Sequence, residues 1–267
     1  MFLPDLHNHT SRCGHAVGGI DEYVEAAISR GITHIGFTDH APLPPELRAG
    51  ESMAPEETED YIGDIAAARQ KYAHRIEVLT GFEVDYPLFS SFNTAYFSDK
   101  RIDYLIGSCH FLDDWAFDNE ANIAEFSRRD INEIYAAYYE RVSQLVASGR
   151  FNVIGHFDIV KKFGHRPSKN FFQQIESLAK RAASAGMAFE VNTSGLAKPV
   201  CEMYPAESIV KIFFANNVPV TIGSDAHSPS QVGFMLDGAC SLLKKCGYKK
   251  LTIFRQGKSY SMPMDYL

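Results

Sequence analysis

The sequence lacks the features that mark several classes of protein. Its five cysteines are scattered and none stands in a CxxC pair, which argues against a disulfide framework and fits a reducing compartment. No apolar run approaches the roughly 18 residues needed to span a bilayer. The first residues do not resemble a signal peptide either, because Asp5 and His7 precede any apolar stretch. We therefore expect a cytoplasmic protein with no membrane contact.

An excess of basic residues is also missing. The chain has 26 Lys and Arg against 33 Asp and Glu, for a formal net charge of −7. This balance disfavours long nucleic acid as a partner, since such binding needs a basic face. It leaves room for a small anionic substrate, because bound metal ions can reverse the local field. No low-complexity segment, linker or repeat divides the 267 residues, so we expect a single domain over residues 1–267.

Strand and helix patterns alternate along the chain. Short apolar runs followed by stretches of helical periodicity are typical of a parallel sheet whose faces are covered by helices. Seven such strands with polar ends suggest a closed or nearly closed barrel in the α/β class. The predicted strands cover residues 2–7, 32–40, 76–85, 102–110, 151–156, 187–192, 218–227 and, at the end, 250–254. The predicted helices cover residues 21–31, 55–73, 130–148, 168–185, 206–216 and 230–244.

The strand ends carry groups that can coordinate a metal or orient a ligand. They read LHNH, TDH, GFE, SCH, GHFD, EVN and SDAH. In barrels of this class the carboxyl ends of the strands form the rim that holds the chemistry. We expect His34 and His74 on the opposite rim as structural residues, and His165 in a loop with either role open. The other seven of the ten histidines lie at the predicted rim: His7, His9, His15, His40, His110, His156 and His227.

The spacing of these residues indicates a metal centre. Asp5, His7 and His9 stand at i, i+2 and i+4, which a strand places on one face, and Asp225 and His227 repeat the i, i+2 spacing. Imidazoles with carboxylates suit zinc, iron or manganese. Seven histidines with Glu83 and Asp225 are more donors than one ion needs, so we expect two to three divalent ions.

The same motifs resemble a known family. DLHNHT, CGH, TDH, GFE, GSCHF, GHFD and SDAH, in this order and spacing, are similar to those of the polymerase and histidinol phosphatase (PHP) superfamily. The resemblance runs from Leu3 to about Ala239. Within the superfamily, CGHA, HFLDDWAFDN and NTSGLAKP resemble histidinol-phosphate phosphatases. The resemblance implies a distorted (β/α)7 TIM-like barrel that holds up to three metal ions at the C-terminal rim of its strands.

The resemblance also implies how the ligands divide among the ions. One ion would be held by His7, His9, Glu83 and Asp225. Glu83 would bridge to a second ion, completed by His110 and His156. A third would be held by His15, His40 and His227.

The activity implied is a metal-dependent phosphomonoesterase, with histidinol phosphate as the expected small phosphorylated substrate in histidine biosynthesis. A metal-bridging hydroxide would attack the phosphate in line, because bound divalent ions lower the pKa of water toward about 7. No serine or cysteine stands in a convincing nucleophile motif, and Cys13 is better explained as a wall residue. The residues expected to serve catalysis are Glu83, Asp225, His227 and Asp39, the last as a hydrogen-bond acceptor behind the ligands.

Substrate contacts are harder to assign. Relatives commonly carry arginine after SGL, where this chain has Ala197 followed by Lys198. Lysine is a poorer match for a bidentate phosphate contact. Each alternative also has a structural explanation, as a surface charge, a loop anchor or a backbone cap. The candidates are Lys198, Lys161, Lys162 and Arg166 for the phosphate, Trp115 for an aromatic wall and Asn192 for a rim hydrogen bond.

Three rival interpretations remain from the sequence. A phosphodiesterase or exonuclease would use a similar metal site on nucleotides or another small phosphate ester. An amidohydrolase barrel would act on carbon–nitrogen bonds, but the order and spacing of the motifs favour the phosphatase. A metal-binding protein without activity would need no open coordination position. The oligomeric state is left open.

Overall fold

The computed structural model describes residues 3–264, and within them eleven strands form three sheets. The predicted first strand begins at Phe2, which lies outside the described residues. The strands are β1 (Pro4–Asp5), β2 (His34–Phe37), β3 (Glu77–Asp85), β4 (Tyr104–Ser108), β5 (Phe111–Leu112), β6 (Trp115–Ala116), β7 (Val153–Ile154), β8 (Ala188–Asn192), β9 (Val220–Gly223), β10 (Lys250–Arg255) and β11 (Lys258–Pro263).

Seven α-helices are described, and the longest shows how the sequence sets its ends. Asp130 caps that helix by accepting the backbone N–H of Asn132, and Gly149 ends it in the left-handed conformation that glycine adopts without strain. The helices are α1 (Ile20–Ser29), α2 (Pro45–Arg48), α3 (Thr58–Tyr72), α4 (Ile131–Ser148), α5 (Phe172–Ser184), α6 (Glu207–Ala215) and α7 (Leu236–Cys246). No helix in residues 3–264 has both the length and the apolar character needed to cross a membrane.

The main sheet is a seven-stranded parallel barrel. Its strand order is β1-β2-β3-β4-β7-β8-β9, and all six pairs are parallel. The two edges meet where the Leu6 N–H donates to the Ile222 carbonyl at 3.1 Å and Asn8 forms a parallel bridge with Ala226. The expected α/β barrel with seven parallel strands is thus confirmed.

Alternation along the strands separates the barrel interior into two layers. On β3, Leu79 and Glu83 share the inward face, and on β4 Ile106 and Ser108 do the same. The members nearer the strand starts are apolar and form a buried inner core. The members nearer the strand ends are polar and buried. The polar rim therefore rests on a packed apolar base.

A C-terminal hairpin closes the opposite end of the barrel. It consists of β10 and β11, of which only the first strand is in the sequence prediction. The Gly257 N–H donates to the carbonyl of Asp103, which precedes β4, and Phe254 packs into the inner core. The hairpin thus covers the amino ends of the strands and leaves the carboxyl ends open.

Two predicted helices begin later than expected. The predicted helix over residues 168–185 starts at Phe172, because the backbone N–H groups of Ser168 and Lys169 donate to the Asn132 side chain instead. The predicted helix over residues 230–244 starts at Leu236. Gly233 and Met235 before it have positive φ angles of 73° and 53°, which a right-handed helix does not accommodate.

Candidate metal centre

Glu83 lies at the centre of the polar rim. It is buried on β3, and its two carboxylate oxygens face different histidines. Oε1 lies 2.7 Å from His156 Nε2 and 3.5 Å from His110 Nε2. Oε2 lies 3.3 Å from His7 Nε2, 3.5 Å from His9 Nε2 and 3.2 Å from His40 Nδ1. A carboxylate placed in this way can bridge two cations.

Asp225 completes one group of donors with the first two histidines. Its Oδ1 lies 3.2 Å from His9 Nε2 and 3.7 Å from His7 Nε2. The three residues form one of the clusters whose ligand atoms all lie within 4.8 Å of one another. Asp225 reaches this position with a φ of 55°, a left-handed conformation that is uncommon outside glycine and that aspartate tolerates better than most residues.

Two further histidine groups flank Glu83. His110 and His156 place their Nε2 atoms 3.1 Å apart. The Nε2 atoms of His15 and His227 also lie 3.1 Å apart. With His40, these two residues form another cluster of possible metal ligands. The structure therefore brings together all nine residues expected as metal ligands, which are His7, His9, His15, His40, Glu83, His110, His156, Asp225 and His227.

The donor set fits divalent metal ions. Within the described residues 3–264, His7 Nε2, both ring nitrogens of His9 and His156 Nδ1 are buried and have no hydrogen-bond partner. Burial lowers the pKa of His9 to about 3, so its ring is neutral and offers a lone pair. Burial raises the pKa of Glu83, but electrostatic attraction to His7 and His40 outweighs it and holds that pKa well below the usual range. Histidine rings, which bind metal in their neutral form, together with ionised carboxylates are the ligands that zinc, iron and manganese take.

Several residues that orient these ligands escaped the sequence analysis. Glu190 accepts from His7 Nδ1 at 2.8 Å and from the His156 N–H at 3.0 Å. Asp85 binds His110 Nδ1 at 3.0 Å, and Ser108 Oγ donates to Glu83 at 2.6 Å. The alternation of side chains between the two faces of a strand could have predicted Asp85 and Glu190. Asp85 stands two residues after Glu83, and Glu190 two before Asn192, so each shares an inward face with a residue already singled out.

Asp39 and Asn192 lie behind the ligands. Asp39 is buried, accepts from the backbone and hydroxyl of Thr10 and lies 3.9 Å from His9 Nδ1. Burial raises its pKa to about 7. The Asn192 amide donates to Asp225 Oδ2 at 3.2 Å. Neither lines the cavity described below, so each can act on the chemistry only through the ligands it supports.

A cavity of about 420 Å³ opens over the histidines. Lys162 and Lys198 line it, as does Ala197, at the position where the family resemblance led us to expect arginine. Lys162 Nζ lies 3.3 Å from Asp118 Oδ2, which also lines the cavity. These two lysines are the basic residues that can meet an anion bound at the metal centre.

The other residues predicted to contact the substrate, Lys161, Arg166 and Trp115, do not line the cavity. Their positions therefore do not support the predicted roles. Lys161 is buried and pairs with Asp158 at 2.9 Å and with Glu202 at 2.8 Å, because the short turn after the GHFD motif directs it away from the cavity. Arg166 binds Glu202 at 2.7 Å on the surface. Trp115 is a loop anchor in the hairpin of β5 and β6, packed edge-on against Phe126.

The residues set aside in the sequence analysis also lie away from the cavity. Cys13 is buried, and burial raises the pKa of its thiol to about 12, which disfavours a nucleophilic thiolate. His34 lies 3.2 Å from Glu77 at the start of β2, His74 is exposed, and His165 stacks on Phe126. None of these three histidines lines the cavity.

Comparisons with known proteins agree with this geometry. The PHP domain family matches residues 5–194 of the chain. The chain is 38% identical over 257 residues to a protein of Deinococcus radiodurans named "Probable histidinol-phosphatase", covering 96% of this chain and 98% of that protein. It is 29% identical to the Bacillus subtilis protein named "Histidinol-phosphatase", over 92% of this chain and 100% of that protein.

A solved structure supports the fold. The crystal structure of histidinol phosphate phosphatase from Lactococcus lactis, complexed with zinc, L-histidinol and phosphate, superposes with a TM-score of 0.79. It covers 97% of this chain and 100% of that chain, at 22% sequence identity.

Proposed function

Because this chain belongs to the PHP domain family, we propose that it is a metal-dependent phosphatase that hydrolyses L-histidinol phosphate to L-histidinol and phosphate. The observation that carries the proposal is the convergence of seven histidines with Glu83 and Asp225 at one rim of the barrel, where five of the histidines and both carboxylates line the cavity. The substrate follows from the relatives, which are named for histidinol phosphatase activity and match the chain over nearly its whole length.

The proposed centre holds two or three ions of zinc, iron or manganese. His7, His9, Glu83 and Asp225 form the first set of ligands, and Glu83 is shared with a second set that includes His110 and His156. The third set is His15, His40 and His227. Support comes from the two oxygens of Glu83 facing different histidines and from the unpaired nitrogens of the buried rings. When bound, such ions supply a water of lowered pKa and neutralise charge on the phosphoryl oxygens.

The chain's own side chains prepare this chemistry in two ways. Glu190, Asp85 and Asn192 hold His7, His110 and Asp225 in fixed orientations, so little reorganisation is needed during reaction. Lys162 and Lys198 supply positive charge to the phosphate in place of the missing arginine. Lys162 is oriented by Asp118, which limits the positions that its ammonium group can take.

Two broader features belong to the same proposal. We infer one domain over residues 1–267, supported by a barrel whose C-terminal hairpin packs into the inner core. A cytoplasmic location is supported by the five cysteines, all of which are free thiols.

A phosphate-release panel on one metal-analysed preparation tests the function. The panel contains L-histidinol phosphate, an aryl phosphate, an aryl phosphodiester and a short oligonucleotide. We expect turnover of the monoesters, highest for L-histidinol phosphate, and loss of turnover on chelation. His110→Ala and Glu83→Gln should abolish it, while His74→Ala, which changes an exposed histidine, should not.

The same panel can overturn the proposal. Preference for the diester or the oligonucleotide would favour the phosphodiesterase. Turnover by metal-stripped protein would exclude the metal mechanism.

A further inference from the structure

The cavity continues beyond the histidines into a second region. This region is built from the loop after β2 and from the segment around β5 and β6. With a phosphate at the histidines, the organic part of an ester would extend into it. The residues that line it are Leu43, Glu51, Phe111, Ala116, Asp118 and Asn119.

Glu51 differs from the other carboxylates that line the cavity. Glu83, Asp85 and Asp225 face histidines, and Asp118 pairs with Lys162. Across residues 3–264, Glu51 pairs with no lysine, arginine or histidine, and its side chain accepts a hydrogen bond from the amide of Asn119 at 3.1 Å. Among the five acids of the described chain that line the cavity, it is the one whose charge is left for a ligand to balance.

The position of Glu51 is fixed by its surroundings. The neighbouring Gly50 carbonyl lies 3.1 Å from His15 Nδ1, and the Glu51 N–H donates to the Arg48 carbonyl at 2.9 Å. Asn119 donates to Oε1, and within residues 3–264 no hydrogen bond or ion pair involves Oε2. A half-buried carboxylate held in this way recognises a cation at low entropic cost.

We propose that Glu51 binds the ammonium group of the substrate and so selects phosphate esters of amino alcohols over neutral phosphate esters. The assignment rests on the proposed function, because it places the phosphate at the metal centre. The apolar side chains of Leu43 and Phe111 line the same region and fit a flat organic group beside the ammonium. A charge-assisted hydrogen bond in a partly desolvated site discriminates strongly against a ligand that lacks the charge.

A pair of matched esters tests the assignment. The metal-loaded protein and its Glu51→Gln variant are assayed on 3-aminopropyl phosphate, propyl phosphate and L-histidinol phosphate. Glutamine still accepts from Asn119, so the wall is preserved. We expect Glu51→Gln to lower kcat/KM for the two ammonium esters about 10–100-fold, the effect of losing one hydrogen bond to a charged group. The value for propyl phosphate should change by less than about twofold.

Two controls accompany this experiment. Glu46→Gln makes the same change in charge at an exposed residue of α2 that does not line the cavity, and it should leave the selectivity unchanged. Inhibition of aryl phosphate turnover by L-histidinol provides a second measurement, in which Glu51→Gln should raise the inhibition constant by the factor seen with the ammonium esters.

The outcomes separate the two proposals. Equal loss on charged and neutral esters would mean that Glu51 acts through His15, and no loss on either would remove it from the site. A wild-type protein without preference for the ammonium ester would also overturn the assignment. If instead the wild type prefers 3-aminopropyl phosphate but ignores L-histidinol phosphate, the assigned role of Glu51 stands and the proposed substrate fails.

Discussion

Glu190 Oε1 accepts a hydrogen bond from His7 Nδ1 at 2.8 Å, and both side chains are fully buried. Because the carboxylate accepts the hydrogen bond from Nδ1–H, the Nε2 atom of His7 is directed toward Glu83 and Asp225. The second oxygen of Glu190 accepts the backbone N–H of His156. One carboxylate on β8 therefore orients two proposed metal ligands, His7 and His156, which follow β1 and β7.

We expect Glu190→Gln to weaken metal binding by about 10–100-fold, the usual effect of losing the partner that orients a ligand histidine. Titration against a competing chelator would measure the change. Glu176→Gln, on the exposed face of α5, is the matched control and should bind metal like the wild type. An unchanged affinity in Glu190→Gln would show that His7 keeps its orientation without this carboxylate.

Gly223 leaves the space in which that hydrogen bond forms. A Cβ atom added there would lie 2.4 Å from Glu190 Oε1 and 2.5 Å from the Cβ of His7. Contacts this short require one of the two side chains to move. We expect Gly223→Ala to lower both metal affinity and Tm.

The matched control for Gly223→Ala is Gly63→Ala. A Cβ atom at Gly63, inside α3, meets nothing within 4 Å. That substitution should stabilise the protein by about 0.5–1 kcal/mol through helix propensity. Calorimetry with and without metal measures both variants. Normal metal affinity in Gly223→Ala would contradict the steric argument.

The sequence predicted which residues converge at the rim because most of them follow strand ends, and the carboxyl ends of the strands in a parallel barrel lie on the same rim. Glu190 and Asp85 were missed because their partners follow other strands, and those partners depend on register, which alternation alone does not fix. Lys161 and Lys162 are adjacent in sequence, yet only Lys162 reaches the cavity, since the turn Ile159–Lys161 decides their directions. Sequence spacing alone cannot predict which of two neighbouring residues in a turn points into the cavity.

Glu77 gives the C-terminal hairpin a dependence on pH. Hydrogen bonds from His34 and then Arg255 lower the pKa of Glu77 to about 2. The folded-state pKa lies below the unfolded value near 4.3, so the contribution is present above that value and is lost as pH falls toward 2. Both Glu77 and Arg255 are about one-third exposed, and solvent screening reduces the contribution to about 1–2 kcal/mol at pH 7.

We therefore expect Glu77→Gln to lower the free energy of unfolding at pH 7 and to match the wild type near pH 2. Denaturant unfolding at several pH values measures this difference. Glu46→Gln, which changes an exposed carboxylate on α2, should show no such convergence. A difference that stays constant from pH 7 to pH 2 would mean that Glu77 acts by packing.

Phe254 should stabilise the barrel without touching its chemistry. Its buried ring stacks on Tyr104 with the centroids 5.6 Å apart, and the Tyr104 hydroxyl donates to the Leu6 carbonyl at 2.7 Å. The Leu6 N–H in turn closes the barrel by pairing with Ile222. We expect Phe254→Ala to lower the free energy of unfolding by about 3–5 kcal/mol, because it leaves a cavity in the inner core, and Phe254→Leu to lower it by less.

Urea unfolding measures this loss of stability. Metal analysis of the folded variants should give the wild-type metal content, because the apolar base separates Phe254 from the rim. Loss of metal from folded Phe254→Ala would show that the hairpin and the rim are coupled through the barrel interior.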